Sequence, residues 1–154
     1  MRRQPSRLWR RLTNWRHTLL LTEAVIALTI ASLAIRLLPF RRVLSLADLR
    51  PGRAAAPPSA RLAFRTSVSL AVTVCARRLP WHPMCFPQGL AAHWMLHRRG
   101  VATTLIYGAR PDGSRGIEAH VWVCDGAEPV IGAEAAVGMA ELVHVPARFA
   151  PPVP

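Results

Sequence analysis

The chain has no lysine: all twenty of its basic residues are arginine. That bias says more about codon usage than about mechanism. Acids are scarce as well, eight in all, and the shortage is uneven. Residues 1–80 hold fifteen arginines against Glu23 and Asp48, whereas residues 81–154 hold five arginines against six acids. The net charge of +12 therefore belongs to the N-terminal half, where it favours an acidic partner, anionic lipid or nucleic acid at low salt.

Cysteine is also sparse. Cys75, Cys85 and Cys124 cannot form a closed disulfide set, and no small-residue cleavage site follows the apolar N-terminal run as in a secretory signal. A reducing cytosol is the expected compartment, where a thiol stays a thiol. Neither an H-E-x-x-H pattern nor a C-x-x-C pair is present, which argues against zinc at His82, Cys85, His93 and His97. His93 and His97 read instead as helix-surface side chains. A Walker-type Gly-rich loop is missing too, and no cofactor is expected.

Long uninterrupted apolar runs are lacking. The most apolar stretch, residues 18–38, is cut by Glu23 and Arg36, leaving twelve uncharged residues from Ala24 to Ile35. A spanning helix needs about twenty. The expected element is a buried helix with Thr22 near its start, stopped before Pro39. A membrane-associated helix is the alternative, with arginines at Arg16, Arg36, Arg41 and Arg42 snorkelling to extend it.

What remains is enough for one domain with a core. Residues 1–17 interleave arginine with Leu8, Trp9, Leu12 and Trp15 at three- and four-residue spacing, a pattern for a basic amphipathic helix or a solvated terminus. Residues 39–50 resume a short helical pattern around Phe40, Val43, Leu44 and Leu46. PGRAAAPPS at 51–59 reads as a linker dividing a 1–50 helical segment from a 60–154 domain. Ala60 to Leu79 predicts a helix with Leu62, Val68, Ala71, Val72 and Cys75 on one face, and Cys75 reads as a core thiol.

The chemistry gathers between Cys85 and Gly126. Cys85 opens a predicted helix over 85–100, with Pro87 in its first turn and Arg98, Arg99 and Gly100 at its end. A sulfur there faces unpaired backbone N–H groups and the positive end of a helix dipole, which favour thiolate and suit an oxyanion. Gly89, Ala92 and Leu96 share the side of Cys85, and the small residues let a sheet approach closely. Residues 101–108 and 117–124 predict strands. The second alternates Ile117, Ala119, Val121 and Val123 with Glu118, His120, Trp122 and Cys124, placing His120 on the face of Trp122. An Asp125-Gly126 turn is expected to lead into a hairpin. A helix-start cysteine and a strand histidine are how cysteine nucleophiles are assembled, with Cys85 attacking and His120 as base.

CFPQGLAAHWMLHRRGVATTLIYGAR followed by GIEAHVWVCDGAEPVIG, with the apolar helix running into RLLPFRRV, resembles the transglutaminase-like lasso peptide maturation proteases of the stand-alone B2 type. The likeness runs from about residue 18 to residue 132. It implies an α+β, papain- or transglutaminase-like cysteine protease at 60–154 that removes the leader from a ribosomally made lasso precursor peptide. It also implies Cys85 as nucleophile, His120 as base, a separate B1-type leader-binding (RRE) protein as partner and a lasso cyclase acting next. The family's third residue, an aspartate, meets Gly132 at the matching position. The orienting carboxylate is left open between Asp125 and Glu134.

Two other readings compete. A non-catalytic adaptor would bind membrane or a partner of the maturation complex through the arginine-rich front, and would survive loss of Cys85 and His120. Nucleic acid is not expected as a partner, because no recognition module accompanies the arginines.

Overall fold

The computed structural model describes residues 7–48, 55–113 and 116–146, with the backbone alone given for 7–14 and 16. The face expected from Leu8, Trp9 and Leu12 therefore lies outside the described side chains, and residues 51–54 of the 51–59 stretch lie outside the described residues.

No proline or glycine interrupts residues 7–38, and one helix, α1 (Arg7–Leu37), runs through them to Pro39. Thr22 sits mid-helix rather than near a start. Its hydroxyl donates to the Thr18 carbonyl at 3.0 Å, and Thr29 does the same to Val25 at 2.8 Å, so both side chains are satisfied without breaking the helix. Ala24, Ala27, Leu28, Ala31 and Ala34 are buried and let α1 pack on two helices described next.

Helix α2 (Phe40–Ala47) follows at once and buries Val43 and Ala47. Helix α3 (Pro58–Arg78) starts on Pro58, where a missing N–H is harmless, so Pro58 and Ser59 form its first turn. It buries Val68, Ala71, Val72 and Cys75, while Leu62, expected on that face, points to solvent. Burial pushes the Cys75 thiol pKa up, as befits a core residue.

Helix α4 (Cys85–His97) is the central rod, buried nearly all round. His93 and His97 are thus core residues and not surface ones, at 0 % and 5 % exposure. His93 Nε2–H donates to the Ala47 carbonyl and Trp94 Nε1–H to that of Leu46, both at 2.8 Å, which satisfies carbonyls orphaned at the end of α2. The Thr103 hydroxyl lies 2.8 Å from His93 Nδ1, completing that ring. Arg99 at the far end of α4 grips Glu23 of α1 through two bonds, 2.6 and 3.0 Å, and Arg98 joins at 3.3 Å. The charge that interrupts the apolar run is therefore a clasp between helices.

Four antiparallel strands complete an α+β fold: β1 (Thr104–Asp112), β2 (Gly116–Asp125), β3 (Glu128–Ile131) and β4 (Ala140–Val145), in the order β3-β2-β1-β4. The β2–β3 turn is Gly126-Ala127, one residue later than expected, with Gly126 at φ +64° and Asp125 paired with Glu128 as strand residues. The sheet lies on α4 through Val121, Val123 and Leu105. A Cβ on Gly89 would come within 2.8 Å of Val121, so only glycine permits this contact. Residues on both sides of the 51–59 stretch build the same core, since Ala24 and Leu28 pack with Val68, Val72 and Met95.

Candidate active site

A cavity of about 360 Å³ opens where the start of α4 meets β2 and the segment after β3. Cys85, Gln88 and Gly89 line it from α4, His120 and Val121 from β2, and Ile131, Gly132 and Glu134 from β3 and the 3-10 turn at Ala133–Ala136. The structure thus brings together the two residues singled out for chemistry, from positions separated by a helix and a strand.

Cys85 is a half-buried free thiol at the first position of α4. No side chain caps that end, and Pro87 has no N–H to offer, so the Cys85 and Phe86 amides lack intrahelical acceptors and carry the partial positive charge of the helix start. Gln88 anchors the approach loop, its Nε2 donating to the Pro83 carbonyl at 2.8 Å. Among the described residues no hydrogen bond joins Cys85 to His120, and catalytic contacts of this type often tighten only around substrate.

His120 Nε2 lies 2.8 Å from the Gly132 carbonyl. A carbonyl can only accept, so Nε2 carries the hydrogen and the lone pair of the neutral ring falls on Nδ1. Trp122 stacks beside the imidazole at 6.3 Å and 15° between planes. It does so because Gly108, opposite His120 in the register, leaves room: a Cβ there would sit 2.6 Å from the indole.

The expected carboxylate is not where the turn placed it. Asp125 lies five residues beyond His120 on an extended strand, about 17 Å away and on the other face. It is held there by Arg65 at 3.4 Å and Arg61 at 3.8 Å, both from α3. Glu134 reaches the cavity, yet the contact to the imidazole comes from the Gly132 main chain. Gly132 takes φ +80°, and a Cβ on it would meet the Val121 carbonyl at 2.9 Å and His120 Nε2 at 3.2 Å. A main-chain acceptor has no residue-type signature beyond the glycine that makes room for it.

The cavity's third wall was not expected from the sequence. Ser69, Thr73 and Arg77 of α3 recur every four residues and line it. That polar stripe beside the buried face of α3 was the available signal.

The zinc alternative fares differently. His82 stands exposed in the loop before α4 at φ +42°, apart from the buried pair His93 and His97, whose rings are 4.0 Å apart. Burial drives His93 down to about 4, and the neighbouring His97 charge pushes the same way against the Ala47 hydrogen bond. No group of three ligating side chains occurs among the described residues.

With a helix-start cysteine, a strand histidine and a four-stranded antiparallel sheet in place, the sequence comparison is decisive: a profile of the Transglutaminase-like superfamily matches residues 24–144. The chain belongs to the transglutaminase-like superfamily. The match begins within α1 and spans the 51–59 stretch, so the transglutaminase-like unit includes the helix as well as the sheet. No curated protein and no solved structure matches the chain.

Proposed function

We propose that this transglutaminase-like protein is a cysteine peptidase that cleaves the leader from a ribosomally synthesised lasso precursor peptide. Its proposed setting is the cytosol, with a B1-type leader-binding protein presenting the substrate and a lasso cyclase receiving the freed core. The observation that carries the catalytic part is the pairing, around one cavity, of a thiol at a helix N-terminus with an imidazole whose Nε2 is committed to the Gly132 carbonyl. The lasso precursor rests on the resemblance of the Cys85 and His120 segments to the B2-type proteases.

In this mechanism His120 Nδ1 takes the Cys85 proton and the thiolate adds to the scissile carbonyl. The oxyanion that forms is held by the amides of Cys85 and Phe86. As the tetrahedral centre collapses, the C–N bond breaks, and imidazolium returns its proton to the leaving amine of the core peptide. The leader is left as a thioester on Cys85. Water, deprotonated by His120, releases it as a carboxylic acid and restores the thiol. Throughout, the Gly132 carbonyl accepts from Nε2–H, which keeps the tautomer and favours the transient imidazolium.

The test is mass spectrometry of a precursor peptide incubated with the protein, with and without a B1-type partner. The reading predicts two products whose masses sum to the precursor plus one water, formed faster with the partner. Unchanged precursor in both mixtures, with folded protein, would contradict it.

A further inference from the structure

Helix α1 is apolar on two sides. One side is the alanine-rich face packed on α3 and α4. The other carries Trp15, Leu19, Ile26, Ile30, Leu33 and Leu37, each 50–75 % exposed. At 100° per residue these six fall within an arc of about 60°, forming a ridge about 33 Å long that only the exposed Thr22 interrupts. Nothing in the chemistry around the cavity uses it. An isolated exposed leucine is ordinary, whereas six large apolar side chains in line mark a docking face.

Charge indicates what the ridge meets. The helix begins with Arg7, Arg10, Arg11 and Arg16 in its sequence, and at the other end Arg36, Arg41 and Arg42 are exposed. Over residues 7–48 there are two carboxylates, Glu23, which is turned inward onto Arg98 and Arg99, and the exposed Asp48 at the end of α2, beyond the helix that carries the ridge. An apolar ridge with cationic ends and no outward acid on its own helix complements an anionic bilayer surface, where acyl chains take the ridge and phosphates take the guanidiniums. Two copies of the chain meeting on this face would set these seven arginines of each copy in the same field, with Asp48 as the one outward carboxylate of residues 7–48 to answer them.

We propose that α1 is a monotopic membrane-docking helix that seats the protein on anionic lipid through this ridge. The segment His17–Leu37 is long and apolar enough to cross a bilayer by length and composition. Its inner face, however, is covered by α3 and α4, so it lies along the surface with only the outer face immersed. That orientation leaves the cavity, lined by α3, α4 and β2, outside the lipid-facing ridge.

The test is co-flotation of the full chain with vesicles of equimolar phosphatidylglycerol and phosphatidylcholine, and with phosphatidylcholine alone. It needs no substrate and stands apart from the peptidase reading. Strong flotation with the anionic vesicles is expected, falling roughly tenfold or more in the Ile30→Glu/Leu33→Glu variant and in Arg41→Glu/Arg42→Glu. Circular dichroism melting identifies variants that remain folded, as these exposed positions predict. No flotation of the wild-type chain, or equal flotation of the folded Ile30→Glu/Leu33→Glu variant, would overturn the proposal. So would equal binding to both vesicle types, or self-association without lipid binding that the same substitutions abolish, which would assign the ridge to a second copy.

Discussion

His120 and Gly132 are joined by a 2.8 Å hydrogen bond from Nε2–H to a main-chain carbonyl, where a side-chain carboxylate was expected. The bond leaves the lone pair of the neutral ring on Nδ1, the nitrogen that serves as base in the proposed mechanism. It also makes the imidazole dependent on the backbone path after β3, because Gly132 holds that carbonyl in place from a left-handed conformation at φ +80°.

Gly132→Ala should therefore injure activity more than stability. The added methyl would press on the Val121 carbonyl and on the imidazole edge, shifting the base by a fraction of an ångström. A displacement of this kind costs on the order of a hundredfold in rate, against about 1–3 kcal/mol of stability from the strained φ. Cleavage kinetics set beside a denaturant titration would separate the two, and a variant with wild-type kcat would remove Gly132 from the site.

Asp125→Asn should show the reverse. Its carboxylate answers Arg65 and Arg61 well away from the imidazole, so the loss should be structural, about 1–2 kcal/mol, with kcat changed less than threefold or so. Glu134→Gln, altered at the cavity wall, should move KM more than kcat. A large kcat loss in Asp125→Asn with stability intact would restore the carboxylate reading.

Stability should fall with acid through His93. Its folded-state pKa of about 4 lies below the ordinary value of 6.5, so the unfolded chain binds the proton first. The stabilisation is full above about pH 6.5 and is lost progressively as pH falls toward 4, up to roughly 3 kcal/mol. Protonation would turn Nδ1 from acceptor to donor in its contact with the Thr103 hydroxyl, and His93→Gln, which removes the titration, should be less stable at neutral pH yet flatter across this window. Thermal melts of both proteins at matched pH would measure the difference, and parallel pH curves would contradict the assignment.

The Glu23–Arg99 clasp should matter although it sits near the edge of the core. Both side chains are about one-fifth exposed, so solvent screens part of the interaction. Glu23→Gln is expected to cost roughly 1–2 kcal/mol, and to be partly rescued by Arg99→Met, which removes the orphaned charge. A double-mutant cycle by denaturant unfolding measures the coupling, and strict additivity would mean that the clasp contributes nothing.

What the sequence made legible followed local chemistry. Pro39 and Pro80 end helices by removing donors and restricting the residue before them, and the Cys85 and His120 segments announced themselves by a helix start and a two-residue alternation. The misplaced features lacked local signals. His93 and His97 looked superficial because α4 is apolar all round, and a helix with no polar face has no phase from which to tell inside from outside. Thr22 looked like a helix start because threonine caps well, but its hydroxyl bonds back to Thr18 and lets α1 continue. Asp125 looked like both a turn residue and a triad member, and its real partners, Arg61 and Arg65, lie some sixty residues earlier. The hydrogen bond to the imidazole comes from a carbonyl, a group that every residue carries, so only the glycine's steric need distinguished position 132.

The central claim is acyl transfer through Cys85 under the control of His120, and the most direct measurement compares precursor cleavage by the wild type, Cys85→Ala and His120→Ala under identical conditions with the leader-binding partner present. The account predicts a single cut that vanishes in Cys85→Ala and falls by at least about a thousandfold in His120→Ala, with melting temperatures close to wild type. Cleavage of the same bond at an undiminished rate by Cys85→Ala would contradict it.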